Sequence, residues 1–495
     1  MSALSEHNET DPLIADAPVE PPLSGRVVRG AGWLFFGKVI GRGLGVIKLV
    51  ILARLLAPED FGLFGIAMLA LATLEAFTVT GFGDALIHRQ GRIRAYLDSA
   101  WVVQILRGLC LAALLYFTAP LIGWFFDEPR AVPILRVLCL VEIVKALVNP
   151  GIIHFRKELQ FRKQMEYILW SDILALIIGV LLAFQLRNVW ALVWAALAGT
   201  AVRVALSYIL HPHRPRLRMN AEHVRHLFGF GGWVLASSLL MFLVTHADDL
   251  VVGKVLGAAA LGVYQIAFRV ANIAATEIAH TINSVLFPAF SKVQSDKKRL
   301  RAGYVKSVTV TLGLACPLAL GLLVMAPVLV PVLLGEAWRP AVVPMQILAL
   351  FGLARAFAAG CGSVFYACGQ PRLLARVSAI QCVLLALTLW PLTVRYGLPG
   401  TSVAVTLSTL LVYGYSAFLT CALLELRVQT LLRTVAQALA PAVLMALGVA
   451  WLARFATESV GGLALLVAVG GASFVVLWRL INPSTNPIHL LRRKA

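Results

Sequence analysis

Three cations, Lys38, Arg42 and Lys48, interrupt the apolar stretch that begins near residue 31. A charge in hydrocarbon costs about 2.5–3.5 kcal/mol on insertion scales, so such residues face a water-filled cavity or a charged partner. At about 100° per residue, Lys38 and Arg42 lie about 40° apart on one helical face, and Arg42 sits roughly 17 Å into the span, near mid-bilayer. Arg269 is similarly deep in a later apolar stretch. Side chains with several N–H donors in a dry cavity bind multiply charged anions. The bland alternative pairs each cation with an acid, Glu75 or Glu277, or lets it snorkel to the interface. Arg107, Arg136, Lys145, Arg203 and Arg355 are read in that structural way.

The elements that must position these charges are membrane helices. The chain of 495 residues is 60% hydrophobic and 14% charged, against about 45–50% and about 25% in soluble proteins. Apolar runs recur from about residue 31 to 482, which leaves no stretch for a soluble catalytic domain and argues against an enzyme. Fourteen spans are expected, starting near residues 31, 61, 99, 131, 166, 189, 229, 259, 307, 341, 374, 398, 433 and 460. The seven cysteines lie scattered in these spans without CxxC spacing and are expected to be small core residues.

Orientation follows from the basic residues, which cytoplasmic loops retain. Connections after the even-numbered spans, among them "HRQGRIR", "FRKELQFRK" and "SKVQSDKKRLR", carry most of the 43 Lys and Arg; the opposite ones carry only Arg54, Arg130, Arg187, Lys254, Arg339, Arg395 and Arg454. Both termini are therefore expected in the cytoplasm. The net charge of +19 reads as topology signal facing an anionic leaflet, not as nucleic-acid binding. The first residues, acidic and proline-rich without Lys or Arg, lack the pattern of a cleaved signal and are expected to be disordered.

A repeat organises the spans. "LARLLAPEDFGLFGIA" (52–67) and "VGKVLGAAALGVYQIA" (252–267) share Arg54/Lys254, Leu56/Leu256, Gly62/Gly262, Ile66/Ile266 and Ala67/Ala267, and the offset of 200 extends to Gly32-Trp33 and Gly232-Trp233. Six spans per unit is an even number, so the two units are parallel and related by an axis along the membrane normal. The expected layout is a cytoplasmic tail (1–28), a six-helix lobe (29–212), a basic linker (213–228), a second six-helix lobe (229–425), and two extra helices with a basic tail (426–495). At the same offset Lys48 corresponds to Asp248, with Asp249 beside it. An ion pair between the lobes that closes an outer gate in the inward-open state is expected; local pairing of each charge is the alternative.

"ILARLLAPEDFGLFGIA", "GFGDALIHR" (81–89) and "FRKELQFRK" (155–163) resemble the polysaccharide biosynthesis flippases, in the superfamily that also holds multidrug and toxin extrusion transporters and lipid II flippases. The resemblance implies an all-α, V-shaped, two-lobe membrane protein of the bacterial inner membrane. It would move an undecaprenyl-pyrophosphate-linked oligosaccharide repeat unit from the cytoplasmic to the periplasmic leaflet, for exopolysaccharide or O-antigen assembly. Polysaccharide polymerases and chain-length regulators are the implied partners.

On that resemblance Arg42 and Arg269, helped by Lys38, are the expected pyrophosphate ligands. The absence of GxxxxGK[ST] excludes a P-loop, and no cofactor is expected. Outward movement of an anion is favoured by about 2.3 kcal/mol per charge per 100 mV. Na⁺ or H⁺ coupling through Glu75 or Glu277 is the other source of energy. The rival readings are a cation-coupled multidrug antiporter, a membrane-embedded glycosyltransferase or ligase, and a scaffold subunit of a polysaccharide-synthesis complex.

Overall fold

The computed structural model describes residues 23–78, 94–158, 160–219, 231–292, 296–358, 360–455 and 459–481. The acidic N-terminal residues, the "GFGDALIHR" segment and the basic C-terminal tail lie outside them. In order come α1 (Leu23–Leu55), α2 (Pro58–Phe77), α3 (Arg94–Phe125), α4 (Ala131–Ala146), the short α5 (Ile153–Lys157), α6 (Phe161–Leu186), α7 (Val189–Leu210), α8 (Gly231–Lys292), α9 (Lys297–Leu329), α10 (Val342–Phe357), the short α11 (Cys361–Ala367), α12 (Pro371–Leu424), α13 (Val428–Ala453) and α14 (Val460–Ile481).

No strand occurs among the described residues, and ten stretches are long and apolar enough to cross a membrane. Two helices are bent pairs: α8 breaks at Gly257 (φ 84°) and α12 at Gly397 (φ 62°), the left-handed region that glycine enters freely. Opening both gives, among the described residues, fourteen long segments that follow the expected spans. One expectation fails at the start: α1 begins at Leu23, so residues 23–28 belong to a helix and not to a tail.

The contacts fall into two sets. Helices α1 to α7 pack among themselves, through α3 with α4, α6 with α7 and α1 with α6; α8 to α14 do the same, through α9 with α13, α9 with α10 and α10 with α12. The sets meet chiefly where α2 lies along α8. One hydrophobic core runs through that junction and includes Ile66, Ala67, Leu261, Ile266 and Ala267. Outward faces remain apolar, with Leu106, Leu109, Phe117 and Leu121 of α3 exposed, as lipid requires. Cys110 shares that exposed face, whereas Cys139, Cys316, Cys361 and Cys421 are buried as expected and Cys368 and Cys382 are half-buried.

The corner in "RLLAPED" has a local cause. Pro58 takes the first helical position of α2, where a missing N–H costs nothing, and the Asp60 carboxylate accepts a hydrogen bond from Ala57 N at 3.1 Å. Two hundred residues on, the same corner is made without proline, by Gly257 at positive φ. Only the backbone path repeats there, which explains why the sequence match lapses at Pro58.

Candidate functional site

The deep cations gather around the middles of α1, α6, α7 and α8. Arg203 of α7 pairs with Asp172 of α6 at 3.4 Å. Lys48 lies close enough to feel the charges of Arg269, Asp172 and Arg203. It rests over Gly179 of α6, where a Cβ would fall 3.4 Å from its Cε. On α1, a Cβ at Gly41 would come 3.6 Å from Asp172 Oδ2, so the Gly41 face of α1 meets the cluster, whereas exposed Arg42 projects about 100° further round the helix. Arg269 is accessible to water although it sits among packed protein and near the charge of Asp249. That combination describes a side chain lining an interior space.

Lys48, Arg203 and Arg269 outnumber Asp172 and Asp249 there, and the space they border favours an anion. The sequence reading gives Arg203 a structural role and does not single out Asp172. The signal was present, because both sit mid-span in apolar helices, but only packing shows that they join α1. The side chains of Lys38 and Glu277 lie outside the described residues.

The two expected gate residues are apart in this conformation. Among the described residues no ion pair joins Lys48 to Asp248 or Asp249. Buried Asp248 accepts a hydrogen bond from Tyr264 Oη at 2.7 Å and another from Asp249 N at 3.0 Å, while Asp249 faces His246 at 3.4 Å. Equal sequence height does not make equal facing: Lys48 rests on α6, near Arg269 of α8 and Asp172, and Asp248 turns toward Tyr264 of α8. Glu75 is not a partner of the deep arginines either. It pairs with Lys145, which also reaches buried Glu142 at 3.3 Å.

The halves are joined instead by reciprocal contacts around the two corners. Arg54 donates from Nε to Leu333 O at 2.9 Å and also bonds Val332 O. Its repeat partner Lys254 reaches back to Asp127 at 2.6 Å. Trp338 Nε1 donates to Ala53 O at 2.8 Å, and Phe126 packs on Gly253, the repeat equivalent of Ala53. Each half lends a cation to the other at the same place in the repeat.

Three comparisons with known proteins agree with this architecture. Residues 51–343 match the family model described as polysaccharide biosynthesis protein. The lipopolysaccharide biosynthesis protein WzxC of Escherichia coli K12 is 28% identical over 348 residues, 69% of this chain and 70% of that protein. The succinoglycan biosynthesis transport protein ExoT of Rhizobium meliloti is 26% identical over 324 residues, 66% of each. Among solved structures, the lipid II flippase MurJ in an inward closed conformation superposes with a TM-score of 0.72 at 13% identity, over 90% of this chain and 98% of that one. That last likeness speaks to the fold.

Proposed function

Because the chain belongs to the polysaccharide biosynthesis protein family, we propose that it is a flippase. It carries undecaprenyl-pyrophosphate-linked oligosaccharide repeat units from the cytoplasmic to the periplasmic leaflet of a bacterial inner membrane, for lipopolysaccharide or exopolysaccharide assembly. The observation that carries this reading is the cluster of Lys48, Arg203 and Arg269 in an otherwise apolar helical protein, fed by helices of both halves.

A pyrophosphate needs several N–H donors in a site of low dielectric, and the arginines supply them from α1 and α8. In this reading Arg42 and Arg269 bind the pyrophosphate and Lys38 acts near the inner mouth. Asp172 holds Arg203 in place and limits the surplus charge, so that the anion is bound yet released. The lobes rock about the α2–α8 junction, and both termini are cytoplasmic. An inside-negative potential favours outward movement of the anion; Na⁺ or H⁺ coupling through Glu75 or Glu277 is the added source that a transport assay would detect.

The test is polysaccharide export in a deletion strain complemented with wild type, Arg42→Ala or Arg269→Ala at matched membrane abundance. The reading expects polymer to be lost while lipid-linked repeat units accumulate inside. Normal export by both variants removes the cationic site, and unchanged polymer on deletion removes the flippase.

A further inference from the structure

Two cavities share Phe155 as a wall. The first, about 410 Å³, opens among α3, α4 and α6, between Val103, Leu111, Ala146 and Ile168. Its charged members are already engaged: Lys145 with Glu142 at 3.3 Å, and Arg107 with Thr78 Oγ1 at 3.3 Å. What remains open to an occupant is mainly apolar. The second, about 540 Å³, lies at the ends of α6 and α7 and is lined by His154, Lys163, His211, His213, Arg214 and Arg216, with the Glu158 carboxylate in its wall and Asp98 behind it, 3.5 Å from His213 Nε2 and accepting from Arg216 N at 3.1 Å.

The walls of the second cavity are built, not draped. Asn149 Nδ2 donates to His213 O at 2.7 Å, Asn149 N donates to Ser207 Oγ at 3.0 Å, and Gly151 N donates to Asn149 Oδ1 at 2.9 Å. His211 packs on Gly151, where a Cβ would fall 2.3 Å from its Nδ1, and the His154 and His211 rings stack in parallel at 5.5 Å. Glu158 is held by His154 at 3.2 Å and Gln160 at 2.7 Å. Among the described residues no carboxylate pairs with the Lys163 or Arg216 side chain.

A cationic cavity at the helix ends beside an apolar one among the helices matches an amphiphile with an anionic head. We propose that this pair of cavities binds one phosphate-headed lipid, its phosphate over Lys163, Arg214 and Arg216 and one hydrocarbon chain in the cavity among α3, α4 and α6. The site is separate from the deep cation cluster: Lys163 precedes Asp172 on α6 by about 13 Å of helix. It therefore stands or falls independently of the transport reading. A membrane glycerophospholipid and an isoprenyl pyrophosphate offer the same chemistry.

The experiment is native mass spectrometry of the purified full-length protein titrated with dioleoylphosphatidylglycerol, geranylgeranyl pyrophosphate or uncharged dioleoylglycerol. One phosphate-headed lipid should be retained and the uncharged lipid should not; whichever phosphate lipid is held more tightly names the source. Lys163→Glu with Arg216→Glu should weaken retention at least about tenfold, because each basic group near an anionic lipid is worth about 1 kcal/mol. Arg162→Glu, next in sequence but paired with Glu166 at 2.9 Å and outside the cavity, should change it less than about twofold. Ile168→Trp narrows the apolar cavity with every charge in place, and should also weaken retention. Equal retention of dioleoylglycerol, an equal loss in Arg162→Glu, or full retention in Ile168→Trp overturns the proposal.

Discussion

Gly62 and Gly262 each lie against the backbone that precedes the other. A Cβ on Gly62 would fall 1.6 Å from Ala258 O, and one on Gly262 would fall 2.0 Å from Pro58 O. Positions 58 and 258 are themselves repeat partners, so the contact is its own mirror across a pseudo-twofold axis, as at a twofold interface. The recurrence of glycine at offset 200 thus has a steric cause.

Substitution should grade with what the new Cβ meets. Gly62→Ala and Gly262→Ala force helix backbones apart and should each lower stability by about 1–3 kcal/mol or more. Gly65→Ala meets the Gln265 side-chain amide at 2.4 Å, which can swing away, and should be milder. Thermal unfolding in detergent, alongside surface polysaccharide in a complemented strain, checks the order; an equal effect of all three would refute the reciprocal contact.

The charge swap Lys48→Asp with Asp248→Lys should fail to restore export lost in either single variant. Lys48 faces Asp172, Arg203 and Arg269, while Asp248 accepts from Tyr264, so the swap places an acid among cations' ligand space and a cation in a buried tyrosine pocket. Recovery in the polymer assay would reinstate the ion pair.

Lys145→Met should destabilise the protein by about 1–3 kcal/mol, because Glu142, 4% exposed, loses its hydrogen-bonded ammonium and keeps only the charge of Arg107 nearby. Adding Glu142→Gln should recover most of the loss. Paired unfolding midpoints of the single and double variants provide the measurement.

Acid should loosen the loop cluster at the ends of α6 and α7. Burial, with His154 and His213 adding to it, holds His211 down to about 4 from 6.5. The unfolded chain therefore takes up this proton near pH 6.5 and the folded one only near pH 4. The contribution is intact above about 6.5 and is lost as pH falls toward 4. The unfolding temperature should drop by roughly a few degrees across that window, and His211→Gln should flatten the drop.

The sequence by itself determined the membrane class, the order of the fourteen helical segments and the parallel repeat. These depend on local apolar run length and on periodic recurrence, both of which survive in one dimension. It also pointed to Arg42 and Arg269, since any charge deep in an apolar run demands an explanation. Only the tertiary structure decided which charges meet. Lys48 and Asp248 share a repeat position, yet their side chains turn to Asp172 and to Tyr264, because facing is set by how α1 and α8 rotate against their own neighbours. Arg203 and Asp172 joined the cluster for the same reason. Arg54 and Lys254, legible only as a matched pair, became reciprocal ties to Leu333 and Asp127 once the two corners were packed together.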